Sequence, residues 1–239
     1  IESNEKVVDT DFPLEDKFEK LNLTKKDKRN ATAFLTIQEG CNKFCTFCVV
    51  PYTRGAEISR SPEVIIKEAN ELVNTGVKEI TLLGQNVNAY SCINEKNKSI
   101  DFASLIKILC KLDDLKRLRF VTSHPRDMTE NLINLFGQEE KLMPYLHLPI
   151  QSGSNQILKK MNRGHTVEYY LDIISKLKLI RPEIAISGDF IVGFPGETEE
   201  DFQKTLEICK IIKYSQAYSF KYSPRTGTPS FEMKDISEK

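Results

Sequence analysis

Six short runs rich in β-branched and aromatic residues, each followed by a stretch with helical periodicity, constrain this chain more than any other feature. They fall at residues 33–37, 79–83, 118–122, 145–150, 184–192 and 217–222. Strands that alternate with helices form βα units, and successive units build a parallel sheet covered by helices. A closed barrel of this kind takes eight units. Six predict an α/β fold in the form of an open partial TIM barrel, (β/α)6. The helices carry their own start and stop signals. Ser61-Pro62-Glu63 supplies an N-cap, a proline at the first helical position and an early acid, and Gly76 closes that helix. Asp101, Thr129, Ser154, Thr166 and Thr198 read as further caps, the last within a capping box, Thr198-Glu199-Glu200-Asp201.

A chain of 239 residues can bury a sizeable core. Lysine plus arginine equals aspartate plus glutamate at 34 each, so no global charge argues for nucleic acid, a membrane surface or an acidic partner. RNA affinity would have to be local or supplied elsewhere. No apolar run approaches the roughly 18–20 residues that span a bilayer, and the start lacks a signal-peptide pattern, which predicts a soluble, cytoplasmic protein. Three of the six cysteines crowd into eight residues, which suits a metal or cluster site in a reducing compartment better than a disulfide scaffold. The polar, charged stretch 1–30 reads as a linker from a missing N-terminal domain, 31–225 as the core, and 226–239 as a linker toward a missing C-terminal domain. The start at Ile1 fits a fragment or a processed form.

Cys41, Cys45 and Cys48 form a CxxxCxxC loop directly after the first strand. In parallel α/β barrels that end of the strands carries the active site. Three thiolates on a tight loop can hold three irons of a 4Fe-4S cubane and leave the fourth open for a ligand. The alternatives are a structural zinc site and a ferredoxin-like electron-transfer cluster one cysteine short. Structural zinc closes its shell with four protein ligands, and no cysteine or histidine lies close downstream to complete it.

Polar residues follow the other strands: Gln85 and Asn86 after the second, Ser123 and His124 after the third, Gln151 and Ser152 after the fourth, with Asp189, Ile191 and Gly193 along or after the fifth. Each has a structural reading as a turn or capping residue; their recurrence at strand ends favours a shared site. His124 and His147, at or near the mouth, are read either as substrate ligands or as buried hydrogen-bonding groups, and His165, next to a cap, as structural. Gly193-Phe194-Pro195-Gly196 fits a tight strand-to-helix turn. Cys92, Cys110 and Cys209 form no second site.

The CxxxCxxC motif with Phe47 before its last cysteine resembles the radical S-adenosylmethionine (SAM) superfamily. In that superfamily the unique iron chelates SAM, and one electron from the cluster cleaves the sulfonium to a 5′-deoxyadenosyl radical. From Phe34 onward the chain resembles the methylthiotransferase family within it, most nearly the MiaB-type tRNA enzymes, in TIQEGC at 36–41, CVVPYTRG at 48–55, LGQNVNAY at 83–90, His147-Leu148-Pro149 with QSGS at 151–154, and GDFIVGFPGET at 188–198.

The resemblance implies cluster ligation by Cys41, Cys45 and Cys48. It implies SAM contacts from Phe47, Gln85, Asn86, Ser123, His124, Gln151, Ser152, Asp189, Ile191 and Gly193. The superfamily more often has Gly-Gly-Glu where this chain has Leu83-Gly84-Gln85, and a glycine at the place of Asp189. A second 4Fe-4S cluster is implied in an N-terminal domain, as the sulfur source, with an RNA-binding TRAM domain at the C-terminus. The expected reaction places a methylthio group on carbon 2 of isopentenyl-adenosine beside the tRNA anticodon. Its expected partners are the isopentenylated anticodon arm and an electron donor such as flavodoxin or ferredoxin, with the enzyme a monomer. Relatives in the same family act on threonylcarbamoyl-adenosine in tRNA or on a ribosomal-protein aspartate; a non-catalytic iron–sulfur or zinc module is the reading from outside the class.

Overall fold

The structure, a computed structural model, describes residues 30–233. The six expected strands are present: β1 Thr32–Thr36, β2 Glu79–Leu83, β3 Arg117–Phe120, β4 Tyr145–His147, β5 Ala185–Val192 and β6 Gln216–Lys221. All neighbouring pairs are parallel, in two three-stranded sheets ordered β1-β2-β3 and β4-β5-β6. A parallel bridge between Leu118 and Leu142, just before β4, carries the order across the seam. Among the described residues β1 and β6 each pair on one side only, so the barrel is open.

Two strands stop earlier than the apolar runs, for reasons visible in the backbone. Thr122 takes φ +65, which ends β3. Pro149 has no N–H to donate, so the β4 ladder lapses after Leu148 and resumes as a single bridge between Gln151 and Phe190.

The six principal helices are α1 Pro62–Asn74, α2 Phe102–Cys110, α3 Glu130–Gln138, α4 Asn155–Lys160, α5 Val167–Ile180 and α6 Glu199–Ile212. Each starts where its cap lies. Ser61, Asp101, Thr129, Ser154, Thr166 and Thr198 all accept a backbone N–H from the first turn, and Thr198 with Asp201 completes the capping box. The helix α1 ends in a Schellman motif: Gly76, at φ +103, donates to Val73 and Val77 donates to Leu72.

Alternation along the strands separates two faces. Leu35, Ile80, Leu82, Leu118, Phe120, Leu146, Ile186 and Phe190 are buried. Phe120 meets Phe102 of α2 at 5.0 Å and Phe136 of α3 at 6.0 Å, which identifies the helix-facing side. The opposite, lumen side carries Glu79 with Arg117 and Arg119, Tyr145, His147 and Asp189. Its open edges expose Phe34, Tyr218 and Phe220.

The expected linker over 1–30 lies, up to residue 29, outside the described residues. Of the expected linker over 226–239, residues 226–233 are described and turn back onto the core. A short 3-10 helix, Pro229–Glu232, places Ser230 N–H on the Thr46 carbonyl at 3.0 Å, and Met233 packs beside Ile157, Met161 and Phe194. Among the described residues no helix is long and apolar enough to cross a membrane.

Candidate active site

The cysteine loop leaves β1 through Gly40, whose φ of +79 and tight fit permit no side chain; a Cβ there would lie 2.0 Å from the Ala56 carbonyl oxygen. The loop is clamped from several directions. Thr46 donates its N–H to Met161 and its hydroxyl to Lys160, Asn162 donates to the Phe44 carbonyl at 2.9 Å, and Cys48 closes a turn on Cys45. Cys41, Cys45 and Cys48 are unbridged thiols that together line one cavity of about 340 Å³. Burial pushes the Cys41 and Cys48 thiols up, which disfavours bare thiolates there. A metal reverses that preference, since binding releases the thiol protons.

No group of three or more His, Cys, Asp or Glu side chains among the described residues is disposed around a single metal ion. Three thiols that line one cavity fit a cluster, in which each thiolate takes a different iron.

The cavity gathers most of the strand-end residues read from the sequence. Phe47, Gln85, Asn86, Ser123, His124, Gln151 and Asp189 line it with the cysteines. Phe47, Gln151 and Asp189 also line an adjoining cavity of about 320 Å³, where Ile191 joins them beneath β6 and the segment after it. Two expected residues line neither cavity. The Ser152 hydroxyl accepts from Ser154 N–H and faces Thr205 of α6, and Gly193, at φ +71, donates its N–H to Glu197 in the strand-to-helix turn.

Some side chains that line the cavity are committed to holding it together. The Gln85 carboxamide oxygen accepts from Gly40 N–H at 2.7 Å. Asn86 donates to Asp127 at 2.7 Å and leaves its own oxygen buried without a protein partner. The backbone of His124 is locked by a reciprocal pair of bonds with the Asn88 carboxamide, both 2.9 Å. His124 Nδ1 accepts from Arg126 N–H, so its proton sits on Nε2, which has no protein partner. The Ser123 hydroxyl is likewise unpartnered. Burial, with the nearby Arg163 charge, holds His124 neutral far below the usual histidine range and lowers His165 to about 4. His147, between Ser187 at 2.7 Å and Asp189 at 3.4 Å, belongs to the lumen wall.

Four residues that the site requires were not read from the sequence as site residues: Gln38, Lys43, Asp127 and Arg163. Gln38 is fully buried and binds Gly40, Gln85 and Asn86; its one sequence signal is a polar residue continuing an apolar strand. Lys43 pairs with Asp127 at 2.7 Å over the mouth. Arg163 reaches the site from the turn after α4, where the only signal is an arginine between two residues, Asn162 and Gly164, that favour left-handed backbone.

A strand-end cavity lined by a CxxxCxxC loop in an open (β/α)6 barrel defines a class, and the model of the radical SAM superfamily matches residues 35–209. The chain belongs to the radical SAM superfamily. Within it, the chain is 60% identical over 237 residues to the tRNA-2-methylthio-N(6)-dimethylallyladenosine synthase of Ruegeria sp. (strain TM1040), covering 99% of this chain and 54% of that protein. The enzyme of the same description from Zymomonas mobilis is 60% identical over 228 residues, covering 95% and 51%. This chain therefore spans about half the length of the curated relatives it matches.

Among solved structures, the radical S-adenosylmethionine methyltransferase TsrM from Kitasatospora setae superposes with a TM-score of 0.67 at 16% identity, over 85% of this chain and 39% of that one. SuiB of Streptococcus suis gives 0.58 at 13%, over 85% and 43%. These likenesses concern the fold. Membership in the superfamily implies a 4Fe-4S cluster and SAM.

Proposed function

We propose that this chain is the radical SAM core of a tRNA methylthiotransferase that acts on carbon 2 of isopentenyl-adenosine next to the anticodon. The observation that carries the reading is that Phe47, Gln151 and Asp189 line both the thiol-lined cavity and the cavity at the β5 and β6 ends, so the two adjoin. A cofactor with a cluster-binding end and a nucleoside end fits that arrangement. When bound, the cluster and SAM supply one-electron cleavage of the sulfonium to a 5′-deoxyadenosyl radical; the protein orients the reactants and excludes water.

In this reading Cys41, Cys45 and Cys48 hold the cluster. The unpartnered acceptor of Asn86 and donors of Ser123 and His124 face the amino and carboxylate end of SAM. Gln151 and Asp189 face the ribose, and Phe47 with Ile191 flanks the adenine. Gln85 supports the loop through Gly40 in place of touching the cofactor, and Ser152 and Gly193 shape the turns behind it. The choice of tRNA as substrate draws on the two relatives near 60% identity. The second cluster, the TRAM domain, the flavodoxin- or ferredoxin-type donor, the monomeric state and a cytoplasmic location belong to the same proposal for the longer protein, with the core ending near residue 225.

The test is anaerobic reconstitution with iron and sulfide, reduction by dithionite and addition of SAM, with 5′-deoxyadenosine measured by mass spectrometry. It is expected from the wild-type chain and absent from Cys45→Ala. An intact cluster that yields none overturns the catalytic reading. For the substrate, nucleosides from the tRNA of a deletion strain should lack the 2-methylthio group on isopentenyl-adenosine. Loss on threonylcarbamoyl-adenosine or on a ribosomal-protein aspartate would reassign it.

A further inference from the structure

Arg163 is 5% exposed, yet among the described residues no carboxylate lies within ion-pair distance of it. Its guanidinium donates through Nη1 to Cys45 Sγ at 3.4 Å and through Nη2 to the Pro149 carbonyl at 2.5 Å, while Nε is buried without a partner. A guanidinium does not shed its charge in a protein, and a buried cation is costly unless an anion faces it. The other cation on the cavity wall, Lys43, is already paired with Asp127. The histidines beside Arg163, His124 and His165, are held neutral. Asp189, the carboxylate on the same wall, faces His147 at 3.4 Å, so no carboxylate faces the guanidinium, which is aimed at the sulfur of the most buried of the three cysteines.

Resting on the reading that these cysteines hold the cluster, the geometry points to Arg163 as a positioning residue that holds the Cys45 sulfur and raises the reduction potential of the cluster. Hydrogen bonds to ligand sulfur and nearby fixed charge are the levers by which a protein tunes iron–sulfur potentials. Reduction adds a negative charge to an already anionic group, so a fixed cation in a dry wall favours the reduced state more than the oxidised one. The placement is tertiary: Asn162 and Gly164 both take positive φ, and Arg163 N–H is tied to the Leu158 carbonyl at 2.9 Å, so the side chain projects from the turn back to the loop.

The test is an EPR-monitored redox titration of the reconstituted chain without SAM, comparing wild type with Arg163→Gln and Arg163→Lys. The reduced-to-oxidised ratio at a fixed potential should fall about tenfold in Arg163→Gln, a 59 mV lowering for a one-electron couple. Arg163→Lys, which keeps the charge and loses the planar fork, should fall between. Far-UV circular dichroism and thermal melting report folding; if Arg163→Gln does not fold, the Lys variant decides alone, and a wild-type potential in it overturns the inference. An intact cluster at the wild-type potential in Arg163→Gln also overturns it, including the case where SAM binding is lost, which would assign the guanidinium to SAM. Absence of any cluster in the wild-type chain overturns the cluster reading itself, a result distinct from a variant-specific null.

Discussion

Gln38 accepts the backbone N–H of Gln85 on its side-chain oxygen at 3.0 Å, across the gap between the cysteine loop and the end of β2. The same oxygen accepts from Asn86 N–H at 3.2 Å, and its amide donates to the Gly40 carbonyl at 3.0 Å. One buried carboxamide thus fixes the root of the cysteine loop to the second strand end.

Replacing Gln38 with Leu keeps the volume near and removes all three bonds. The buried Asn86 N–H is then orphaned at about 1–3 kcal/mol and the half-buried Gln85 N–H at the low end of that range, about 1 kcal/mol, so a loss of about 2–4 kcal/mol is expected by denaturant unfolding. Iron retained after reconstitution should fall with it. A loss below about 1 kcal/mol would mean that water or a relaxed loop replaces the network.

Thr122 lines the cavity at φ +65, a region that a β-branched residue enters only under constraint. Such strain costs about 1–3 kcal/mol, while glycine adds about 0.4–1 kcal/mol of unfolded-state entropy. Thr122→Gly should therefore stabilise the fold, by about 1 kcal/mol, measurable as a raised Tm. A lowered Tm would mean that the threonine side chain contributes contacts that outweigh the strain.

Glu79 on β2 faces Arg117 in register on β3 and reaches Arg119 at 3.2 Å. The hydrogen bond from Arg117, with the charges of both arginines, holds the Glu79 carboxyl below the usual carboxylate range. A depressed carboxylate contributes stability above its unfolded pKa, about 4.3, and loses it as pH falls through the folded value. Glu79→Gln should cost about 1 kcal/mol at neutral pH, since both arginines are partly exposed, and the gap from wild type should close below pH 4. Thermal melts across pH 3–7 check this; a gap that persists at the acid end would assign the loss to packing.

His165 has a folded pKa lowered to about 4, by burial first and by Arg163 second. The unfolded chain takes up the proton near pH 6.5, so between about 6.5 and 4 it binds more protons than the folded one. Stability is fully present above that window and declines through it on acidification, by about 1.4 kcal/mol per pH unit once the unfolded group is fully charged. His165→Gln should remove that part of the slope in denaturant unfolding between pH 5 and 6.5. An unchanged slope would show that His165 titrates alike in both states.

The order of strands and helices was legible because it rests on local physics. Apolar alternation marked the runs, and the hydroxyl or carboxylate at Ser61, Asp101, Thr129, Ser154, Thr166 and Thr198 marked the helix starts; all six caps bond as read. Strand ends were legible only to within a few residues, because Thr122 leaves the ladder through its φ and Pro149 through its missing N–H. Residue adjacency likewise does not show where a side chain or N–H turns: Ser152 faces Thr205 of α6 and Gly193 donates to Glu197, and neither lines the two cavities.

The sequence by itself determined the α/β order, the cysteine loop at the first strand end, and most of the polar residues gathered around it, since each follows from spacing along one strand or one turn. Only the tertiary structure decided that the thiols line one cavity that shares wall residues with a second, that Gln38 ties the loop to β2, and that Arg163 meets Cys45. These partners lie 47 and 118 residues apart in the chain, as Gln85 from Gln38 and Arg163 from Cys45 do. No local pattern encodes such contacts; the lateral packing of the six βα units brings them within hydrogen-bonding range.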